Sequence, residues 1–457
     1  MQGTKELSKD FTKGNIPKQL LKFSLPFMAS NALQVLYSTI DMIVVGKCVG
    51  TNGISAVSQA SLIITFATMM CLGFSNAGQV LLGQAFGASK RKEMNDIIGT
   101  LFVFMGAVSI LITTLILFGQ NLILTLVNMP QESFEMARQY LVICGGGFIF
   151  TAGYNLVSAV LRGMGDSKRP FIFIGIASLV NLVLDILFTA VWGWGVVGAA
   201  WATIIGQAVS FIFSIFYLLK KKEKFGFDFK KESFKPNKKY LSMIVSVGTP
   251  MAVQSGFINI SMLFVNSMVN DIGVVGSATF GVGVRIDDIV NKICMGIQYA
   301  AVPMISQNIG AREEKRVTKI VNCTWVYSIA LTIFFMLLYV FFGKQLFMLF
   351  DDNVAVHEKS LEFIKAILFM FPAFALMRGS GALIQGIGHS KFGLVLSVLD
   401  GVVLRIGLSW LFGIVFGWGF FGFVLGYGLA PYGYAIPSTI YFLSGKWKKR
   451  KVLAEDI

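Results

Sequence analysis

Charge is the scarcest property of this sequence. Only 14% of its 457 residues are Asp, Glu, Lys or Arg, against roughly 25% in soluble domains. So few charges cannot cover a water-facing surface. Hydrophobic residues make up 55% of the chain, and the mean hydropathy is +0.71. A soluble protein is excluded on that ground. Histidine is almost missing: His357 and His389 are the only two, and neither has a partner at metal-ligand spacing. The five cysteines, Cys48, Cys71, Cys144, Cys294 and Cys323, are odd in number. They lie in or beside apolar stretches and read as small packing residues, with no disulfide frame and no metal site. No nucleophile–base constellation stands out, so no enzyme is expected. Residues 1–15 are polar, and the first apolar run leads into a full-length span, so no cleaved signal peptide is expected.

Long apolar runs are abundant. A transmembrane helix needs about 20 mostly apolar residues. Twelve candidates occur near 23–46, 54–84, 97–118, 134–159, 171–192, 196–219, 241–269, 275–309, 318–342, 360–386, 393–416 and 420–444. Pro26, Pro250, Pro303 and Pro372 fall inside them and predict kinks. The net charge of +15 raises the question of nucleic acid, but its distribution answers it. Basic residues gather in alternate connections: Lys90, Arg91 and Lys92; Lys168 and Arg169; the 220–239 segment; Arg312 to Lys319; and the tail from Lys446 to Lys451. The positive-inside rule then puts both termini and the 220–239 loop in the cytoplasm of a multi-pass plasma (inner) membrane protein. The partner of these basic residues is the lipid headgroup surface, not nucleic acid.

The 220–239 segment, KKKEKFGFDFKKESFKPNKK, is the one long polar stretch between spans. It divides the chain into a six-helix lobe at 1–219, a linker at 220–239, a six-helix lobe at 240–445 and a basic tail at 446–457. The lobes are related in sequence. A shift of 223 residues pairs Gly50 with Gly273, Gly53 with Gly276, Gly73 with Gly296, Gln84 with Gln307 and Gly87 with Gly310. It also pairs Gly163, Gly165, Ser167 and Lys168 with Gly386, Gly388, Ser390 and Lys391. One residue more pairs Pro26 with Pro250 and Gly193-Trp194-Gly195 with Gly417-Trp418-Gly419. Such a register is an internal repeat. An even number of spans per repeat makes the repeats parallel, with an axis along the membrane normal. The expected fold is all-α, twelve transmembrane helices in two parallel six-helix repeats. It suggests a transporter with a central cleft.

Ionisable residues inside spans are costly and usually functional. In the first span Asn31, Gln34, Ser38 and Asp41 are 3, 4 and 3 apart, on one helix face. Ser178, Asn181 and Asp185 are 3 and 4 apart in the fifth, and Thr203 lies on the sixth. Interhelical hydrogen bonding is the plainer reading for the serines. Two carboxylates facing each other in a dry bundle cannot both stay ionised without a cation. They predict uptake of a proton or of a sodium ion, with Asn181 and Thr203 adding neutral oxygens. In the second lobe the positions equivalent to Asp41 and Asp185 are Phe264 and Leu408. The eighth span carries Arg285, Asp287, Asp288 and Lys292, with internal pairing expected at spacings of 3 and 4. The roles of these residues, and of Arg378, Asp400 and Arg405, are open at this level. Arg162-Gly163-Met164-Gly165-Asp166 joins two spans with no preceding strand and is not a nucleotide loop.

These residues resemble those of the multidrug and toxic compound extrusion (MATE) transporters over nearly the whole chain. The resemblance is carried by Asp41-Met-Ile-Val-Val-Gly46, Gly83-Gln-Ala-Phe-Gly87, Leu161-Arg-Gly-Met-Gly-Asp166, Asn181-Leu-Val-Leu-Asp185 and Gly195-Val-Val-Gly-Ala-Ala200. It implies export of amphipathic, often cationic compounds by antiport against protons or sodium, with no cofactor. It also carries a first-lobe cation site onto Asp41, Asn181, Asp185 and Thr203. Some members use an acid in the seventh span, where this chain has none before Asp271. Gln34, Tyr37, Asn155, Gln254 and Asn259 are candidate cleft residues for a small amphipathic substrate. The alternative is a flippase for lipid-linked saccharide precursors, with Arg285, Arg378 and Arg405 on the pyrophosphate. A channel would need a filter element, and none is visible. Oligomeric state is open, with a monomer as the default.

Overall fold

The structure, a computed structural model, describes residues 9–222 and 227–456; linker residues 223–226 and the side chains of Ser255, Ala454 and Asp456 lie outside that description. The described chain is helical. The first repeat runs α1 Ile16–Val49, α2 Thr51–Gly87, α3 Arg91–Leu126, α4 Gln131–Gly146, α5 Phe148–Gly163, α6 Lys168–Asp185 and α7 Gly195–Lys220. The second runs α8 Lys238–Asn270, α9 Val274–Gly310, α10 Glu314–Met348, α11 Val354–Ile367, α12 Met370–Gly386, α13 Ser390–Val398, α14 Gly407–Trp410, α15 Gly419–Leu429 and α16 Tyr432–Leu443.

Counted as rods these make six and six. Eight are single helices or continuous runs long and apolar enough to cross a membrane, and two more are bent pairs. The fourth span, expected unbroken, is α4 and α5 meeting at 47°. The break falls at Gly147, after Gly145 and Gly146, where α-helix is weakest. The tenth, α11 and α12, bends by 46°. Pro372 sits in the first turn of α12, where a missing N–H costs little. The two remaining rods are α9, whose middle carries Arg285, Asp287, Asp288 and Lys292, and the pair α15 and α16, interrupted at Ala430 and Pro431.

The backbone repeats as the sequence does. Gly50 and Gly273 have φ of 82° and 110°, and Gly165 and Gly388 have 84° and 72°. Gly193 and Gly417 have 68° and 70°, and Gly195 and Gly419 both have 55°. Only glycine adopts these angles without strain, so the pairs survive in both halves.

Two compact units result. One holds Ala29–Ala252; the other holds Phe11–Met28 together with Val253–Asp456. So α1 changes unit just after Pro26, and α8 just after Pro250. Glycines permit the close packing of the exchanged segments. A Cβ on Gly73 of α2 would lie 2.4 Å from the Ala252 backbone nitrogen. A Cβ on Gly296 of α9 would lie 2.8 Å from that of Met28. In the first unit Val45, Ala56, Val57, Tyr140, Leu141 and Ala200 form an apolar core; in the second, Val265, Phe280, Tyr339, Phe363, Phe371 and Val424 do so. Large apolar side chains also face outward, Phe118 at 88% exposure among them. In lipid such a surface carries no penalty.

The linker is docked on α3. Phe227 and Phe234 pack with Phe102, and Asn95 donates to Ser233 at 2.9 Å. The Ser233 carbonyl lies 1.7 Å from where a Cβ on Gly99 would stand. Gly99→Ala is therefore expected to lift the linker off α3, at a cost of about 1–3 kcal/mol. Faster protease cleavage within 220–239 than in the parent would show it.

Candidate cation site

Three helices of the first unit bring the expected residues together. Tyr37 and Asp41 come from α1, Ser178, Asn181 and Asp185 from α6, and Thr203 and Gln207 from α7. Close contact between α6 and α7 is possible because α7 carries glycine at the crossing. A Cβ on Gly206 would be 3.0 Å from the Ala177 carbonyl, and one on Gly198 would be 2.9 Å from the Phe188 carbonyl carbon. Asp185 ends the regular turn of α6, and Ile186–Val191 continue as π-helix. Such wide turns often occur at functional positions.

Asp41 and Asp185 stand within hydrogen-bonding reach of each other. Two carboxylates this close repel each other unless a proton or a cation lies between them. Asp185 is 1% exposed and Asn181 is 5% exposed. Oδ1 of Asp41, Oδ1 of Asp185, Nδ2 of Asn181 and Oγ of Ser178 are buried without a hydrogen-bond partner. Each such atom costs about 1–3 kcal/mol if nothing meets it. Among the described residues no lysine or arginine pairs with either carboxylate. Tyr37, Ser178, Asn181, Thr203 and Gln207 line a small recess beside them. Two carboxylates with neutral side-chain oxygens around them suit a proton or a small hard cation.

Tyr140 on α4 belongs to this cluster and was not expected. Its hydroxyl accepts from Ser61 at 3.3 Å, Thr203 is within its reach, and it feels the charge of Asp41. A tyrosine in an apolar run gives no sequence signal of such a position.

The candidate cleft residues scatter. Tyr37 joins the recess. Gln34 is exposed, and Asn155 donates to the Thr151 carbonyl at 2.9 Å. In the second unit Gln254 donates to the Ser390 carbonyl at 3.4 Å, and Asn259 is exposed. The second unit's charges are mostly matched. Asp288 pairs with Lys292 at 2.7 Å, the expected spacing of 4, while Arg285 is exposed and pairs with neither aspartate. Asp400 pairs with Arg405 at 2.9 Å, both buried. Arg378, 1% exposed, donates to Gln298 and to Asn291.

Two parallel helical repeats spanning a membrane define the class, a polytopic membrane transporter. The MatE family profile matches residues 26–187 and again 250–411, so the chain belongs to the MatE family. The two matches begin at Pro26 and Pro250, in the register of the repeat. The chain is 32% identical over 449 residues to "Probable multidrug resistance protein YpnP" of Bacillus subtilis, covering 98% of this chain and 99% of that one. It is 24% identical to "Multidrug export protein MepA" of Staphylococcus aureus, over 86% and 87% of the two chains. Among solved structures, an outward-facing multidrug resistance MATE transporter matches with TM-score 0.92 at 21% identity, covering 99% of this chain and all of that one. A transporter of the same superfamily from Pyrococcus furiosus matches at 0.91 and 21%, covering 99% of this chain and all of that one. These likenesses establish the fold.

Proposed function

We propose that the chain is a proton- or sodium-coupled antiporter that exports amphipathic, often cationic compounds by alternating access. The observation that carries this reading is the pair Asp41 and Asp185, the first half-buried and the second buried, each with an oxygen shut off from solvent and neither paired with a fixed cation among the described residues. Asn181 and Thr203 complete the coupling site, and Tyr140 stands behind it. A ligand shifts a conformational equilibrium only by binding one state better. A cation at the pair and a lipophilic cation near Tyr37, each favouring a different state, would exchange. Multidrug names among the relatives support the substrate class. Gln34, Asn155, Gln254 and Asn259 are proposed substrate contacts. The basic connections support a plasma membrane protein with cytoplasmic termini.

The flippase reading is weaker. Arg405 is already neutralised by Asp400, and Arg378 is spent on two amide oxygens. The test is efflux of ethidium from proteoliposomes, with proton and sodium gradients imposed separately. Acceleration by one gradient is expected. Equal rates with neither, either and both would sink the proposal.

A further inference from the structure

The second unit holds a carboxylate that the proposed function leaves unused. Asp287, near the middle of α9, is 2% exposed. Its helix neighbours Ile286 and Val290 belong to the apolar core with Phe371 and Tyr427. Its Oδ1 accepts a hydrogen bond from the Tyr339 hydroxyl of α10. Its Oδ2 is buried and has no hydrogen-bond partner.

The charged groups around it are committed elsewhere. On α9, Asp288 turns outward to Lys292, and Arg285 is exposed. On α12, Arg378 serves Asn291 and Gln298. Arg405 pairs with Asp400 and lies 5.1 Å from the Tyr427 ring centre. On α11, Lys359 pairs with Glu362 at 3.5 Å, and the His357 ring meets the Asp351 carbonyl. Among the described residues no cation balances Asp287. A carboxylate ionised at that depth is expensive. A metal cation would need a shell of oxygens, and among the described residues Tyr339 is the one side chain hydrogen-bonded to Asp287. A proton needs no shell and no cavity.

We propose that Asp287 is a second proton-uptake site. Oδ2 takes the proton while Oδ1 keeps its bond from Tyr339, and each cycle moves this proton besides the cation held in the first repeat. The site is no copy of the first, since Asp41 corresponds to Phe264; it lies one helix further on. The proposal rests on the cation-coupled reading but can fail separately.

Two measurements on the full-length protein test it. In proteoliposomes, the ratio of protons to ethidium is read from the gradient at which flux reverses. Asp287→Asn is expected to lower that ratio by one proton, and an unchanged ratio overturns the proposal. In detergent, without transport, infrared difference spectra at neutral pH should show a protonated carboxyl band that Asp287→Asn removes and Tyr339→Phe shifts. Absence of that band overturns the proposal whether or not the variant transports. If the wild-type protein ignores imposed gradients while the band is present, the antiporter reading fails and the proton on Asp287 stands.

Discussion

Asp41→Asn should reduce gradient-driven efflux to the rate of protein-free vesicles while the protein still reaches the membrane. Asparagine keeps the shape of the side chain but cannot take up a proton or balance a sodium ion. The neighbouring Asp185 would then lose the group it faces across the helix pair. Without differential cation binding, an imposed gradient has nothing to act on. Asp185→Asn should behave alike, because the proposed site needs both acids. Substrate binding measured by ethidium fluorescence should survive in both, since neither change removes Tyr37. Undiminished gradient-driven efflux by either variant would remove the coupling site from its assigned place.

The second large effect concerns stability. Asp400 and Arg405 are five residues apart. In a regular α-helix that spacing turns the two side chains to different faces. Here Leu399–Ile406 form π-helix, and the wider turn brings the two to 2.9 Å. Both are buried. Asp400→Ala would leave a guanidinium inside the unit with no counter-charge, at a cost of about 3–5 kcal/mol. The expected result is a much lower unfolding temperature in detergent. Replacing both members, Asp400→Leu with Arg405→Met, should recover most of the loss, because a well-packed apolar pair often matches a buried ion pair. A single variant as stable as the parent would mean that Arg405 finds another partner.

Much of this molecule is visible in its sequence, and the limits have physical causes. The repeat was legible because glycine takes positive φ at less cost than other residues, so these turns keep it in both copies. Asp41, Asn181, Asp185 and Thr203 were legible because helix packing in lipid seldom calls for a row of polar side chains on one face. Their convergence in one unit needed the structure. Tyr140 escaped because tyrosine is ordinary in membrane helices. Asp287 was hidden among four charges. Adjacent positions on a helix point about 100° apart, so Asp287 turns inward and Asp288 outward, and nothing in the order of residues says which. The bend at Gly147 left a trace in its three glycines. The bend before Pro372 left only the proline.

The exchanged starts of α1 and α8 bear on biosynthesis. The ribosome delivers α1 before any of Val253–Asp456, where the segment Phe11–Met28 packs. It delivers the last part of the first unit, the segment ending at Ala252, only after the linker. The early unit therefore waits with a groove beside Gly73 unfilled until more than half the chain has been made. Neither half of the chain holds a complete unit by itself. Severing the chain in the linker would leave two pieces, each bearing the other's missing stave.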